Sequence, residues 1–296
     1  MIVNDSEIKV LLEALPYLGA FKGSTVVVKY GGNAMLSDEL KDAVLQDIVF
    51  LQHAGMRPVV VHGGGPAITK MLKQAGIKSE FIGGLRVTDA ESVKLAEMAL
   101  VGEINTDLVT RMNQIGGKAV GLNGKDAKLI QARKHLADVY ENGEVNLVDI
   151  GFVGKVEKIN TEIINLLLDN GYIPVIAPTG IGADGETYNI NADSAAGEIA
   201  GALKAEKLLM LTDVKGIYSD YKDESTFIST LTFDKAQELI IRGSIDGGMI
   251  PKVRACITAL GAGCKKAHII DGRAAHSIIL EVLSHEGVGT EVVKNV

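Results

Sequence analysis

Apolar positions along this chain alternate between two periods. Thr25-Val26-Val27-Val28 and Pro58-Val59-Val60-Val61 are short, largely β-branched runs, and each opens into glycines. Lys29-Tyr30-Gly31-Gly32-Asn33 follows the first, and His62-Gly63-Gly64-Gly65-Pro66 the second. Such runs predict strands. After the first glycines, Leu40, Val44, Leu45, Ile48 and Leu51 recur at helical spacing and predict a helix from Asp38 to Gly55. After the second, a helix is expected from Pro66 to Ala75, since proline is well tolerated at a first helical position. Strand, glycine turn and helix, twice over, describe a parallel sheet whose ligand edge lies beyond the carboxyl ends of its strands. Glycines there let backbone N–H groups approach an anion, and a lysine beside them adds a mobile positive charge. Anionic-ligand chemistry is therefore the first expectation.

Before the first strand, Ile8, Leu11, Leu12, Leu15 and Leu18 form a helical stripe, which Pro16 is expected to kink or end. This stripe needs a partner, either its own domain or a neighbouring subunit. Further on, Gly83-Gly84-Leu85-Arg86-Val87-Thr88-Asp89 sets an arginine between glycines and a helix cap. A long helical stretch is expected from Ala90 to about Gln114, then a strand over Lys118–Leu122. Short alternating runs between Ala127 and Lys158 suggest hairpins on the rim of the sheet. The α/β rhythm then resumes. Helices are expected over Thr161–Asn170, Ala192–Leu203, Phe233–Arg242, Gly248–Leu260 and Ala274–Leu283. Strands are expected over Ile173–Ala177, Lys207–Thr212, Ala267–Ile270 and Thr290–Val293. The reading is an α/β chain of two lobes sharing one sheet, with a tight seam near Ile159–Gly171. Residues 1–22 form a helix apart, 23–170 the first lobe and 171–296 the second.

Composition removes several classes of function. The 296 residues are 47% hydrophobic and 23% charged, as in an ordinary globular enzyme. A net charge of −7 with no basic run argues against a nucleic-acid partner. Asp5, Glu7 and Lys9 interrupt the N-terminus, so it does not read as a signal peptide, and no stretch is long and apolar enough to span a membrane. A cytoplasmic location is expected. Cys256 and Cys264 lie in Ala/Gly-rich apolar surroundings and read as buried thiols rather than metal ligands.

Most known phosphate-binding signatures are missing. Gly116-Gly117-Lys118 is followed by Ala119, so there is no P-loop; no GxGxxG follows a strand; and the protein-kinase set is absent. What remains is Lys29 before Gly31-Gly32, the Gly63–Gly65 turn, and Lys252 after Gly247-Gly248-Met249-Ile250-Pro251.

These pieces resemble the amino-acid kinase family, and within it the branch acting on N-acetyl-L-glutamate in arginine biosynthesis. The matching segments are Lys29–Met35, Val61–Pro66, Gly84–Thr88, Tyr188–Asp193, Leu211–Tyr218 and Gly247–Lys252, in the family's order over nearly the whole chain. The resemblance implies a three-layer αβα sandwich with a mainly parallel central sheet. It also implies ATP-dependent phosphorylation of a side-chain carboxylate. Lys29 would reach the transferred phosphoryl from the acceptor side and Lys252 from the nucleotide side. Asp193, which by position alone would suit a helix cap, would instead hold both lysines. Gly31, Gly32, Gly64 and Gly65 would supply backbone donors to phosphoryl and acceptor. Arg86 would clamp the substrate α-carboxylate and Asn189 its acetamido group. Asp213, Gly216, Tyr218, Ser244 and Met249 would line the nucleotide pocket. Mg²⁺ would be held mainly by phosphates and water, with no protein metal cage. His62 would be structural, because a carboxylate acceptor needs no base.

The resemblance further implies a homo-oligomer, a dimer or a hexamer built as a trimer of dimers, in which the N-terminal helix links dimers. Arginine would inhibit by binding near Tyr17, His268, Glu281 or Glu286, and Gly287. Other readings fit less well. Aspartate kinases usually carry a further regulatory domain; a kinase for an aminoadipate derivative, free or carrier-bound, stays as the alternative, and the carrier-bound form would call for a basic rim. A non-catalytic sensor would have to lack one of Lys29, Asp193 and Lys252. A nicotinamide oxidoreductase lacks its glycine fingerprint here.

Overall fold

The structure, a computed structural model, describes residues 5–35, 37–141, 144–284 and 287–295. Glu286 lies outside the described residues. Helix α1 (Asp5–Phe21) precedes β1 (Thr25–Tyr30), a 3-10 turn (Gly32–Met35) and α2 (Asp38–His53). Next come β2 (Arg57–His62), α3 (Gly65–Gln74) and the small hairpin β3 (Phe81–Ile82) and β4 (Leu85–Arg86). Helix α4 (Ala90–Glu97), a π-helical segment (Met98–Asn105) and α5 (Thr106–Gln114) lead to β5 (Ala119–Asn123). A long hairpin, β6 (Ile130–Glu141) and β7 (Glu144–Ile159), is followed by α6 (Glu162–Asp169), β8 (Ile173–Ala177), β9 (Thr179–Ile181) and β10 (Thr187–Ile190). The chain continues through α7 (Ala192–Ala202), β11 (Lys207–Thr212), β12 (Ile217–Tyr218), β13 (Phe227–Ile228), β14 (Thr230–Thr232) and α8 (Phe233–Ile241). It closes with α9 (Met249–Gly261), β15 (Lys266–Asp271), α10 (Ser277–Leu283) and β16 (Thr290–Val293).

Among the described residues, eight strands form the central sheet in the order β14-β16-β15-β11-β1-β2-β8-β5. Every pairing in it is parallel except β15 with β16. Strand β8 pairs between β2 and β5, so hydrogen bonding runs unbroken across the seam expected near Ile159–Gly171. The strands are apolar on both faces because helices cover both. Val27, Val59, Leu208 and Met210 pack with α7 and α9 on one side, while Val26, Val28, Val60 and Leu209 pack with α2, α5 and α10 on the other. The architecture is the three-layer αβα sandwich. No described helix is long and apolar enough to cross a membrane.

Several elements differ from the sequence expectation. Helix α1 continues through Pro16, because Leu18 and Phe21 beyond it pack against the core and Lys207 Nζ sits 4.9 Å over the Phe21 ring. Tertiary contact there outweighs the lost helical hydrogen bond. The same helix packs on α10, yet Leu12 and Leu15 remain about 60% exposed. The helical stretch from Ala90 contains the π segment, which a 3.6-residue period does not register. Between Ala127 and Lys158 there is one long hairpin, and it closes with β9 and β10, neither expected as a strand, into a four-stranded barrel.

A buried carboxylate ties the first helical layer to the end of the chain. Asp47 of α2 is fully enclosed, and its Oδ1 lies 2.6 Å from His276 Nδ1 at the start of α10. His276 adopts a left-handed conformation with φ of 60°, which turns the chain into that helix.

Candidate active site

The site forms where the first two strands end. Gly63 N–H donates to the Tyr30 carbonyl at 2.7 Å, joining the loop after β2 to the end of β1. A Cβ on Gly31 would stand 3.1 Å from the Gly63 backbone and 3.3 Å from Lys29 Nζ, so the two loops meet closely only without side chains. Gly32 holds φ at +73°, the left-handed region glycine favours. Helix α3 starts at Gly65, directly after the loop that follows β2, and its cap residue Gly64 has no side chain to satisfy the first-turn N–H groups. Those donors and the helix dipole suit an anion.

Three charged side chains converge beside these loops. Lys29 Nζ is 2.8 Å from Asp193 Oδ1, and Lys252 Nζ is 3.0 Å from Asp193 Oδ2. Asn191 caps α7 by accepting from Ser194 N–H at 3.0 Å, so Asp193, two residues on in the first turn, is not the cap and faces the lysines. Helices α7 and α9 can carry Asp193 and Lys252 this close because Gly197 lets the Ala255 backbone in; a Cβ there would meet it at 2.6 Å. Burial pushes the Asp193 carboxyl up, but Lys29 and Lys252 outweigh it and hold the group below the usual carboxylate range. Burial lowers Lys29 from its ordinary value, helped by Lys252 and opposed by Asp193. The triad has two cations to one anion, and its net charge favours a further anion.

A cavity of about 630 Å³ opens from this triad. Lys29, Lys252, Gly31 and Gly32 line one end, and Asp213, Gly216, Tyr218, Ser244 and Met249 line the rest. The stretch from Ser244 to Met249 forms one wall as expected, and the sequence reading missed Tyr221, since nothing in its local pattern sets it apart. Gly216 is needed there, because a Cβ would sit 2.5 Å from Thr290 Oγ1, which accepts from Ile217 N–H. Among the described residues no cluster of His, Cys, Asp or Glu could hold a metal ion.

Arg86 lies on the other side of the α3 N-terminus. Its guanidinium is buried and donates to Ser79 Oγ at 2.6 Å, Thr69 Oγ1 at 2.8 Å and the Gly65 carbonyl at 3.2 Å. It stacks 4.7 Å over Phe81 and has no ion-pair partner among the described residues. A desolvated guanidinium held only by neutral acceptors suits a carboxylate ligand. Asn189 is on β10, two residues before the α7 cap, and so enters from the barrel side. Arg86 thus reaches the start of α3, the same turn that meets the Lys29 end of β1.

The residues expected to bind an inhibitor lie elsewhere. His268 Nδ1 is 2.7 Å from Glu281 Oε1, while Glu281 Oε2 accepts from the Val288 and Gly289 N–H groups at 2.8 and 3.1 Å. Gly287, at φ +65°, lies against the same carboxylate, where a Cβ would come within 2.9 Å of both oxygens. Burial raises the Glu281 carboxyl, and His268 with the Val288 amide brings it below its ordinary value. Tyr17 sits half-buried on α1, which packs on the helix carrying Glu281.

Asp193→Asn is expected to lower the Lys29 pKa further, because it removes the charge that opposes burial. Titration of Lys29 by NMR checks this, and an unchanged or raised value contradicts it.

The amino acid kinase family model matches residues 24–271. The acetylglutamate kinase of Moorella thermoacetica is 56% identical over 284 residues, covering 96% of both chains. That of Pelotomaculum thermopropionicum is 54% identical over 286 residues, covering 96% of this chain and 97% of its own. Among solved structures, N-acetylglutamate synthase from Neisseria gonorrhoeae, complexed with coenzyme A and N-acetyl-glutamate, superposes with a TM-score of 0.84 at 26% identity. It matches 99% of this chain, which spans 64% of that longer protein. Carbamate kinase from Giardia lamblia bound to AMP-PNP shares the fold at a TM-score of 0.64 and 20% identity, over 92% of this chain and 99% of its own. On the family match and these near-full-length relatives, the chain belongs to the amino acid kinase family.

Proposed function

We propose that this chain transfers the γ-phosphoryl group of ATP to the side-chain carboxylate of N-acetyl-L-glutamate, a step of arginine biosynthesis. The observation that carries the reading is the Lys29–Asp193–Lys252 triad, set between a side-chain-free glycine turn and a cavity of nucleotide size. The names and near-full-length identities of the curated relatives support the choice of acceptor.

In the reaction a carboxylate oxygen bonds to the γ-phosphorus and the bond to the β–γ bridging oxygen breaks. ADP leaves, an acyl phosphate forms, and no proton moves. Two anions must meet, so catalysis is mainly positioning and charge stabilisation. Lys29 and Lys252, aimed by Asp193, flank the phosphoryl, and Gly31, Gly32, Gly64 and Gly65 contribute N–H donors. Arg86 takes the α-carboxylate and Asn189 the acetamido group. Asp213, Gly216, Tyr218, Ser244 and Met249 hold the nucleotide. Asp193 commits both oxygens to the lysines and would not ligate Mg²⁺, which would be held by phosphates and water and would supply neutralisation of phosphate charge. The first lobe, 23–170, binds the acceptor with Asn189 reaching it from the second, and the second, 171–296, binds ATP, in a cytoplasmic homo-oligomer.

Acyl phosphate trapped as the hydroxamate should appear with N-acetyl-L-glutamate, but not with aspartate or N-acetylaminoadipate. Lys252→Ala should lower that turnover by about 10²-fold or more, the scale of losing one charge-stabilising group, with the fold intact. Turnover on another acceptor, or an unchanged Lys252→Ala rate, contradicts the reading. Arginine inhibits through the His268–Glu281–Gly287 cluster and α1, whose exposed Leu12 and Leu15 link dimers into a hexamer. A chain beginning at Gly23 should then lose both hexamer and inhibition, and keeping both would contradict the assignment.

A further inference from the structure

His62 ends β2, is completely buried, and has two hydrogen-bond partners. Its Nδ1 is 2.9 Å from the Gly63 carbonyl oxygen, and its Nε2 is 3.1 Å from Asn105 Nδ2. A carbonyl only accepts, so Nδ1 carries the proton. Asn105 Nδ2 also donates to the Val175 carbonyl at 2.8 Å, which identifies it as the amide nitrogen and makes Nε2 an acceptor. One arrangement of protons satisfies the whole chain of bonds, and in it the ring is neutral. Burial lowers the imidazole pKa to about 4 in agreement.

Peptide geometry then fixes what this pair does. In a trans peptide the C=O and N–H point to opposite sides, and no cis bond is present among the described residues. A Gly63 carbonyl drawn towards His62 therefore aims the Gly64 N–H the other way. That N–H meets no backbone acceptor among the described residues, and it stands at the open end of α3. Leu100 and Ile104 press on the same residue, since a Cβ on Gly64 would lie 2.5 and 2.7 Å from their side chains. Leu100, Ile104 and Asn105 all belong to the π-helical segment, an irregularity found often at functional sites.

We propose that His62, locked by Asn105, is a positioning residue that holds the Gly63–Gly64 peptide so the Gly64 N–H faces the transferred phosphoryl. It is neither acid nor base, and it acts through a carbonyl. The inference rests on the phosphoryl-transfer reading above.

Two variants separate positioning from packing. His62→Asn keeps an amide nitrogen at the place of Nδ1, whereas His62→Gln reaches only the Asn105 side. His62→Gln should lose about 10²-fold in kcat, the scale of one misplaced oxyanion donor, with KM values changed by less than about 3-fold. His62→Asn should retain most of kcat. Equal kcat in the two variants, or a loss carried by KM, overturns the proposal. Imidazole ¹⁵N NMR of the unaltered protein is a second test that no variant can spoil. A neutral ring protonated on Nδ1 from about pH 5 to 8 is expected, and an Nε2-protonated or cationic ring overturns the proposal. A wild-type protein that turns over no acceptor would fail the phosphoryl-transfer reading instead, leaving the NMR test to decide the peptide geometry.

Discussion

Asp193 holds Lys29 and Lys252 on its two oxygens, 2.8 and 3.0 Å away, in a place where all three side chains are largely removed from water. Any one of them alone would be costly there, because an unpaired buried charge loses its hydration without replacement. Together each has a partner of opposite charge, and both lysines line the cavity. The arrangement stabilises a second anion more than it stabilises the empty protein, which is what a phosphoryl-transfer site requires.

Much of the fold can be seen as support for that contact. Strand β1 is central in the sheet and carries Lys29 at its carboxyl end, flanked by parallel β2 and β11. Helices α7 and α9 deliver Asp193 and Lys252, and the small residues between them set their separation. The loops leaving β1 and β2 touch because Gly31 and Gly63 have no side chains, which brings the α3 N-terminus and Lys29 to one point. Arg86 enters this region from its own hairpin, bound only to neutral acceptors.

How much of this was legible in the sequence depends on how local each signal is. The runs at Val26–Val28 and Val59–Val61 are contiguous, and their glycines follow at once, so both strands and both turns could be read directly. Asp193 and Lys252 are 59 positions apart, and only resemblance to a family joined them. Position alone suggested Asp193 as a cap, but Asn191 takes that role and releases it. Asn105 was hidden because it sits inside a helix whose π turn leaves the apolar period almost unchanged. Strands β9 and β10 are too short to show a period, and they exist because the long hairpin offers them partners. That the helix does not end at Pro16 could not be read locally, because the contacts that Leu18 and Phe21 make are distant in sequence.

The most direct test of the central claim is a crystal structure with ADP, Mg²⁺, a metal-fluoride mimic of the phosphoryl group and N-acetyl-L-glutamate. The account predicts the fluoride between Lys29 and Lys252, both ammonium groups within hydrogen-bond distance and both still on Asp193, with the acceptor α-carboxylate on Arg86. A mimic bound away from the two lysines, or an acceptor that leaves Arg86 untouched, would contradict it.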